Sequence, residues 1–346
     1  MTLHFVVPGA LDQVTGGYLY DKRIVEGLRA RGRSVRVHEL DGRFPDACAV
    51  ALAAAAAMAD TVGAGETVVI DGLALPAFRE LLPALVEKAA VVALVHHPLA
   101  NETGLSADEQ ARLRASDAAC FPQAQRVIVT SPATAEELAR YNVPQERIAT
   151  VIPGTDPARR SPGSRDGNIR LLSIGSLVPR KGHDVLIRAL AELPELPWSL
   201  VCAGSKSRDP ATALRLRALC RECGLEGRIT FSGEIVGAEL DEVYANADLF
   251  VLASHHEGYG MVFAEALARG LPILATTAGA IPSTVPAGCG ILVPPGDHEA
   301  LAEALHRLIL DAALREELAR NAYRAGQTLP TWAEAAAAFD AALPGA

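Results

Sequence analysis

Aromatic residues are scarce, 5% of a 346-residue chain that is nevertheless half hydrophobic. An apolar content carried by Ala, Leu, Val and Gly suits helices packed on parallel strands better than a sandwich of antiparallel sheets. An excess of positive charge is also missing. The 32 Lys and Arg stand against 41 Asp and Glu, a formal charge of -9 that argues against nucleic acid as a partner. There is no disulfide framework, because Cys48, Cys120, Cys202, Cys220, Cys223 and Cys289 are scattered and read as reduced thiols of a cytoplasmic protein. Cys220 and Cys223 form a C-x-x-C inside LRLRALCRECGL, a helical pattern rather than a redox turn. The opening MTLHFVVPGA has no basic region and too short an apolar run for a leader or a span, so it reads as a first strand. Neither half carries G-x-G-x-x-G after its first strand, which speaks against an NAD dehydrogenase. No D-x-D lies between strands, and His255 and His256, as neighbours on an extended segment, point to opposite faces. Neither a metal nor a cofactor is expected.

What is present is a repeating rhythm. LHFVVPG, SVRVHEL, TVVIDG, AVVALVHH, RVIVTS and ATVIPG alternate with helical stretches, among them the Ala run 49–59. After the Pro- and Gly-rich DPARRSPGSRDGN the rhythm restarts with IRLLSIG, WSLVCAG, RITFSG, LFVLAS, PILAT and GILVPPG. The fold class is therefore α/β, with two Rossmann-like, doubly wound domains facing each other across a cleft. Domain bounds of 1–160 and 161–325 follow, the segment 155–168 being the linker, with a last helix in 326–346 expected to cross back to the first domain. That helix, TWAEAAAAFDAAL, opens at Thr331 as N-cap. Ligands on such sheets bind beyond the carboxyl ends of the strands, so the residues after each strand are the ones to inspect.

The segment ADLFVLASHHEGYGMVFAEALARGLPILAT is the most informative. A helix begins near Met261, its first N–H groups are free for an anion, and Gly258 and Gly260 let a phosphate approach the backbone. Glu257 lies on the loop and Glu265 on the helix, eight positions on, so both carboxylates face one ligand and each can accept two bonds from a diol. Upstream, GSLVPRKG supplies Arg180 and Lys181. Fixed cations in a water-poor site stabilise charge that develops on a departing diphosphate.

Glu257-x7-Glu265 followed by Ala268-x-Gly270-x-Pro272 resembles the signature of glycosyltransferase family 4, which has the GT-B fold of two Rossmann-like domains. The likeness continues through GSLVPRKGHDVLIRAL, VCAGSK, ITFSGEI, YANADLFVLAS and GILVPPGD, nearly all of the second half from Ile169 to Arg307. The resemblance implies a retaining, metal-independent hexosyltransferase that uses a nucleotide diphosphate sugar, with UDP-glucose or UDP-N-acetylglucosamine as first choices. By position, Glu265 would bind ribose and Glu257 sugar hydroxyls, while Tyr259, Gly260, Met261 and Val262 would meet sugar and phosphate. Lys181 matches the diphosphate-binding lysine. The family's partner arginine is absent, its place being Ser176, and Arg180 is the substitute. Glu234 and Ile235 would contact the base, Gly16 and Gly17 the diphosphate, and His96, rather than His97, the transferred sugar. In the resemblance the leaving phosphate takes the acceptor proton, so a glycosidase-like carboxylate pair is unnecessary.

The expected acceptor is small and soluble. A basic early face of Lys22, Arg23, Arg29, Arg31, Arg33 and Arg36 is of the kind that meets anionic membrane in lipid-linked relatives, but Asp21 and Glu26 dilute it, so membrane association is not favoured. Two alternatives stand beside the transferase: a sugar-nucleotide epimerase of the same fold, and a catalytically silent sugar-nucleotide sensor.

Overall fold

A computed structural model describes residues 2–164 and 166–345. Every one of the twelve apolar runs forms a strand. They are β1 (Thr2–Pro8), β2 (Ser34–Leu40), β3 (Thr67–Asp71), β4 (Ala90–Val95), β5 (Arg126–Val129) and β6 (Ile148–Thr150), then β7 (Ile169–Ile174), β8 (Trp198–Ala203), β9 (Ile229–Gly233), β10 (Leu249–Leu252), β11 (Ile273–Thr276) and β12 (Gly290–Val293). All pairings are parallel, in two six-stranded sheets ordered β2-β1-β3-β4-β5-β6 and β12-β11-β10-β7-β8-β9. Helices cover both faces of a parallel sheet, which is why β4, β10 and β11 are buried almost end to end instead of alternating.

The chain divides into two compact units, Met1–Gly154 with Pro330–Ala346, and Thr155–Leu329. In the first, Val6, Ile70, Phe78, Val91 and Phe121 belong to one core cluster. The helix Trp332–Ala342 belongs to this unit. Its cap residue Thr331 accepts from the Glu334 N–H while the Glu334 carboxylate accepts from the Thr331 N–H. It packs on the helix Gly16–Ala30 so closely that a Cβ on Gly27 would lie 2.4 Å from the Ala336 methyl, and Phe339 reaches Phe5 with ring centroids 6.3 Å apart. In the second unit one core cluster gathers around Leu171, Trp198 and Leu305, and another around Tyr244, Phe250 and Phe263. The segment read as a linker is irregular from 151 to 164 but not a loose tether. Ser161 Oγ donates to the carbonyls of Ala245 and Ala247, and the Ser164 N–H donates to Asp248 at 2.7 Å.

Numbered within its own unit, the second sheet has the strand order 3-2-1-4-5-6, and its order reverses between β7 and β10. The first sheet reverses between β1 and β3. A reversal point opens a crevice beyond the strand ends, because the following helices leave on opposite faces. The turns after β1, β3, β7 and β10 are therefore the places to look for chemistry.

Candidate functional site

In the second unit, β7 runs into a short 3-10 turn, Pro179–Lys181, closed by Gly182 at φ +63°. A Cβ on Gly182 would lie 2.0 Å from the carbonyl oxygen of Ala253, just past β10, so only glycine lets the two turns meet. The helix Met261–Ala268 starts after Gly260 at φ +82°, where a Cβ would strike the Phe263 ring at 2.6 Å. The Glu257 carbonyl accepts from the Ala280 N–H at 2.8 Å, which fixes the loop between these elements.

The buried Glu257 carboxylate is the hub. Lys181 Nζ donates to its Oε1 at 2.7 Å, Ser254 Oγ to the same oxygen at 2.6 Å, and Arg180 Nη1 to Oε2 at 3.3 Å. Arg180 also donates to the His256 carbonyl at 2.8 Å. Burial pushes the Glu257 pKa upward, but the charges of Lys181 and Arg180 and the bonds they and Ser254 make overcome it and hold the carboxyl at about 2. Charge is thus balanced differently from the sequence reading, which gave these residues separate ligand groups: one carboxylate engages both cations, and the three side chains together carry a net charge of one positive.

Glu265 projects from the helix Met261–Ala268, partly buried, and accepts from the Tyr244 hydroxyl at 2.8 Å. Burial raises its pKa, opposed by the Tyr244 bond and the nearby Arg269. Around these carboxylates, Ser176 lies two residues past β7, Glu234 and Ile235 directly past β9, and Gly258 and Tyr259 are buried in the loop after β10. The Tyr259 carbonyl accepts from Thr284 Oγ1 at 2.6 Å, and Met261 and Val262 open the helix with their side chains partly buried.

In the first unit, Gly16 and Gly17 begin the helix Gly16–Ala30. A Cβ on Gly17 would sit 3.2 Å from the His96 ring, whereas Gly16 faces open space, so the second glycine is explained by a histidine and the first has no steric reason. His96 follows β4, and its Nε2 lies 3.2 Å from Asp21 and 3.3 Å from Asp71. Burial lowers its pKa, yet the two carboxylates raise it further, to about 10. Burial also raises Asp21 above the usual carboxylate range, against the pull of His96. His97 Nε2 is 3.9 Å from Glu102, outside this group. Among the described residues, Asp21, Asp71 and His96 are the one trio of His, Cys, Asp and Glu whose ligand atoms all lie within 4.8 Å of one another.

Four polar residues at these clusters escaped the sequence reading: Ser254, Tyr244, Asp21 and Asp71. Asp71 had a readable signal, since it ends a strand whose carboxyl end points toward ligand. Asp21 follows Gly17 by four positions on a helix and so returns to its face. Ser254 had the same signal as Asp71, standing just past β10 and three residues before Glu257, whereas Tyr244 had none, because its partner Glu265 is 21 residues on and is set by packing. A cavity of about 720 Å³ in the first unit, bordered by Arg43, Arg79 and Arg112, shares no residue with either cluster. Among the described residues no helix is long and apolar enough to cross a membrane.

Both units of the chain are similar to known proteins. Residues 155–325 match the profile of the family described as glycosyl transferases group 1, and residues 26–159 match that of glycosyltransferase family 4. A D-inositol 3-phosphate glycosyltransferase of Actinosynnema mirum is 33% identical over 257 residues, 67% of this chain and 62% of that protein. The one of Saccharomonospora viridis is 33% identical over 222 residues, 58% of this chain and 51% of that protein. The match thus spans about half to three fifths of the length of these curated relatives. Among solved structures, sucrose-phosphate synthase from Thermosynechococcus elongatus superposes with a TM-score of 0.83 at 23% identity, covering 98% of this chain and 97% of that one. Anabaena HepE in complex with UDP-glucose does so with a TM-score of 0.77 at 18% identity, covering 99% of this chain and all of the other. At these identities the superpositions establish the fold, two doubly wound units of the GT-B kind.

Proposed function

Because the chain belongs to the group 1 glycosyltransferases of glycosyltransferase family 4, we propose that it moves a hexose or N-acetylhexosamine from a nucleotide diphosphate sugar to an acceptor with retention of configuration. UDP-glucose is the favoured donor, supported by the UDP and UDP-glucose bound in the HepE structures. A small polar acceptor is favoured, in keeping with the inositol phosphate named for the relatives.

The single observation that carries this reading is the buried Glu257 held by Lys181 and Arg180 at the reversal point of the second sheet. A diphosphate arriving there offers Lys181 oxygens in exchange for the carboxylate, and Glu257 is then released toward the sugar hydroxyls. Glu265, on the helix that follows, accepts from the ribose diol, and the backbone of Tyr259 to Val262 meets sugar and phosphate. Transfer breaks the bond between the sugar C1 and the phosphate oxygen and forms one from C1 to the acceptor oxygen on the same face. The acceptor proton passes to the departing phosphate, whose negative charge Lys181 and Arg180 stabilise. No step calls for a metal. His96 contacts the transferred sugar and Gly16 and Gly17 the diphosphate, and Ser176, Glu234, Ile235 and Gly258 line the nucleotide.

Calorimetry with UDP in EDTA tests the donor site, with melting temperatures recorded for each variant to separate lost affinity from lost fold. Lys181→Ala and Glu265→Ala are expected to weaken UDP binding, and Lys181→Ala to lower turnover by about a hundredfold, as when one oxyanion donor worth roughly 2.7 to 4 kcal/mol is removed. His96→Ala keeps UDP affinity and loses turnover. Undiminished affinity in both donor-site variants, if they are folded, rejects the assignment. Release of UDP without any glycosylated product across an acceptor screen would favour the epimerase, and sugar-nucleotide binding with no UDP release at all would favour the sensor.

A further inference from the structure

The trio in the first unit is built from three elements. Asp21 stands on the helix Gly16–Ala30, Asp71 is the last residue of β3, and His96 follows β4. Both carboxylates are buried, Asp21 at 1% exposure and Asp71 at 5%. One ring nitrogen, His96 Nε2, faces them both, at 3.2 and 3.3 Å. An ionised carboxylate only accepts, so an Nε2 between two of them is held as a donor; burial, with the neighbouring Asp71 to which Asp21 also bonds, pushes Asp21 up to about 7, so the arrangement is complete above that pH. The other Asp71 oxygen is committed to the Leu73 N–H at 2.7 Å, which fixes that carboxylate and leaves Oδ2 for the ring. Gly17 lets the helix lie against the ring, and Tyr20 meets it edge-on with centroids 5.4 Å apart, its own hydroxyl donating to the Val151 carbonyl. Two buried carboxylates without a cation would be costly, and the imidazolium supplies one. With Nε2–H anchored, the remaining polar atom of the ring is Nδ1, and in the charged ring it is a donor.

We propose that Asp21 and Asp71 are positioning residues that hold His96 as an imidazolium, Nε2–H fixed between them, so that the ring presents one oriented N–H, at Nδ1, to an oxygen of the transferred sugar. The proposal rests on the reading above in which His96 meets that sugar. The arrangement explains why a glycine stands beside the ring and gives Asp21, read from the sequence only as diluting a basic face, and Asp71 a shared role. A ring held from one side by two acceptors loses little freedom when it binds, and a charged donor makes a stronger bond than a neutral one. No proton is transferred in this role.

The test is nitrogen-15 histidine NMR of the whole chain, with His96→Gln to assign the ring and calorimetry with UDP on the same samples. At pH 8, where an ordinary histidine is neutral, both ring nitrogens of His96 are expected to be protonated. Asp71→Asn and Asp21→Asn each lower the titration midpoint of the ring, and they reduce kcat by about tenfold or more while donor KM changes by less than about threefold, as loss of a charge-assisted bond predicts. In a His96→Ala background, Asp71→Asn costs nothing more. A neutral His96 at pH 8 in the unaltered chain overturns the proposal without any variant having to fold, and so do additive losses in the double variant. Added Mn²⁺ that selectively broadens the His96 signals and displaces its proton would make the trio a cation site and overturn the proposal likewise. UDP binding with a neutral His96 rejects the positioning role alone. A charged His96 in a chain that binds neither UDP nor any sugar nucleotide rejects the functional reading, and with it the contact to the sugar.

Discussion

At the scale of single residues, Glu257 ties stability to the donor site. Its carboxyl is held at about 2, below its ordinary value of 4.5, so its contribution is fully present above pH 4.5 and is lost as the pH falls toward 2. Lys181→Ala leaves that buried carboxylate with Ser254 and the longer Arg180 contact. Breaking a buried pair from one side costs roughly 3 to 5 kcal/mol. Adding Glu257→Gln should restore part of the loss, since the stranded charge goes with it. Urea unfolding followed through Trp198 in a Trp332→Phe background measures both variants. A further loss in the double variant would show that the carboxylate is stabilising without its lysine. The ion pairs could not have been read from the chain, because 76 residues separate Lys181 from Glu257. The sequence reading identified both residues and gave them separate ligand groups, whereas the structure binds them to each other.

At the scale of elements, the turn Pro179–Lys181 is placed by one glycine. Gly182 and Gly224 both have positive φ, +63° and +69°, but a Cβ on Gly182 meets the Ala253 carbonyl at 2.0 Å and one on Gly224 meets nothing within 4 Å. Gly224→Ala should therefore cost only the left-handed backbone penalty, about 1 to 2 kcal/mol, and leave UDP affinity unchanged. Gly182→Ala must also push the turn away from β10, so it is expected to lose more stability and to weaken UDP binding by displacing Lys181. Denaturant unfolding and calorimetry on the pair decide this, and equal stability losses with equal affinity would contradict the steric argument. The glycine was visible in PRKG, but its reason was not, since a sequence does not say which carbonyl lies opposite.

At the scale of the whole molecule, the two units are expected to answer pH differently. In the first, His96 is raised from 6.5 to about 10, so its stabilisation is complete below 6.5 and is lost as pH rises through 10. Burial raises Asp117 to about 7, and its contribution is complete below 3.8 and lost as pH rises through 7. Asp21, raised by burial as well, adds to the same trend. In the second unit, Glu257 loses its contribution only as pH falls toward 2, while Glu265, raised by burial, opposes it by losing stability as pH rises. The chain has two tryptophans, Trp332 in the first unit and Trp198 in the second, so each can report alone after the other is changed to Phe. Between pH 6 and 10 the unfolding midpoint seen by Trp332 should fall more than that seen by Trp198. Parallel falls would show that the trio does not govern the first unit.

By itself the sequence determined the class of fold and the family. Apolar runs at βα spacing specify buried parallel strands whatever surrounds them, and the glutamate pair with its glycines keeps a fixed local geometry, a loop then a helix, that short spacing preserves. Only the tertiary structure decided which strands lie side by side, and hence where each sheet reverses. It alone also brought Asp21, Asp71 and His96 together and closed Lys181 and Arg180 onto Glu257. These contacts join residues far apart in the chain, and their strength comes from burial and mutual charge, which exist only once the sheets have formed.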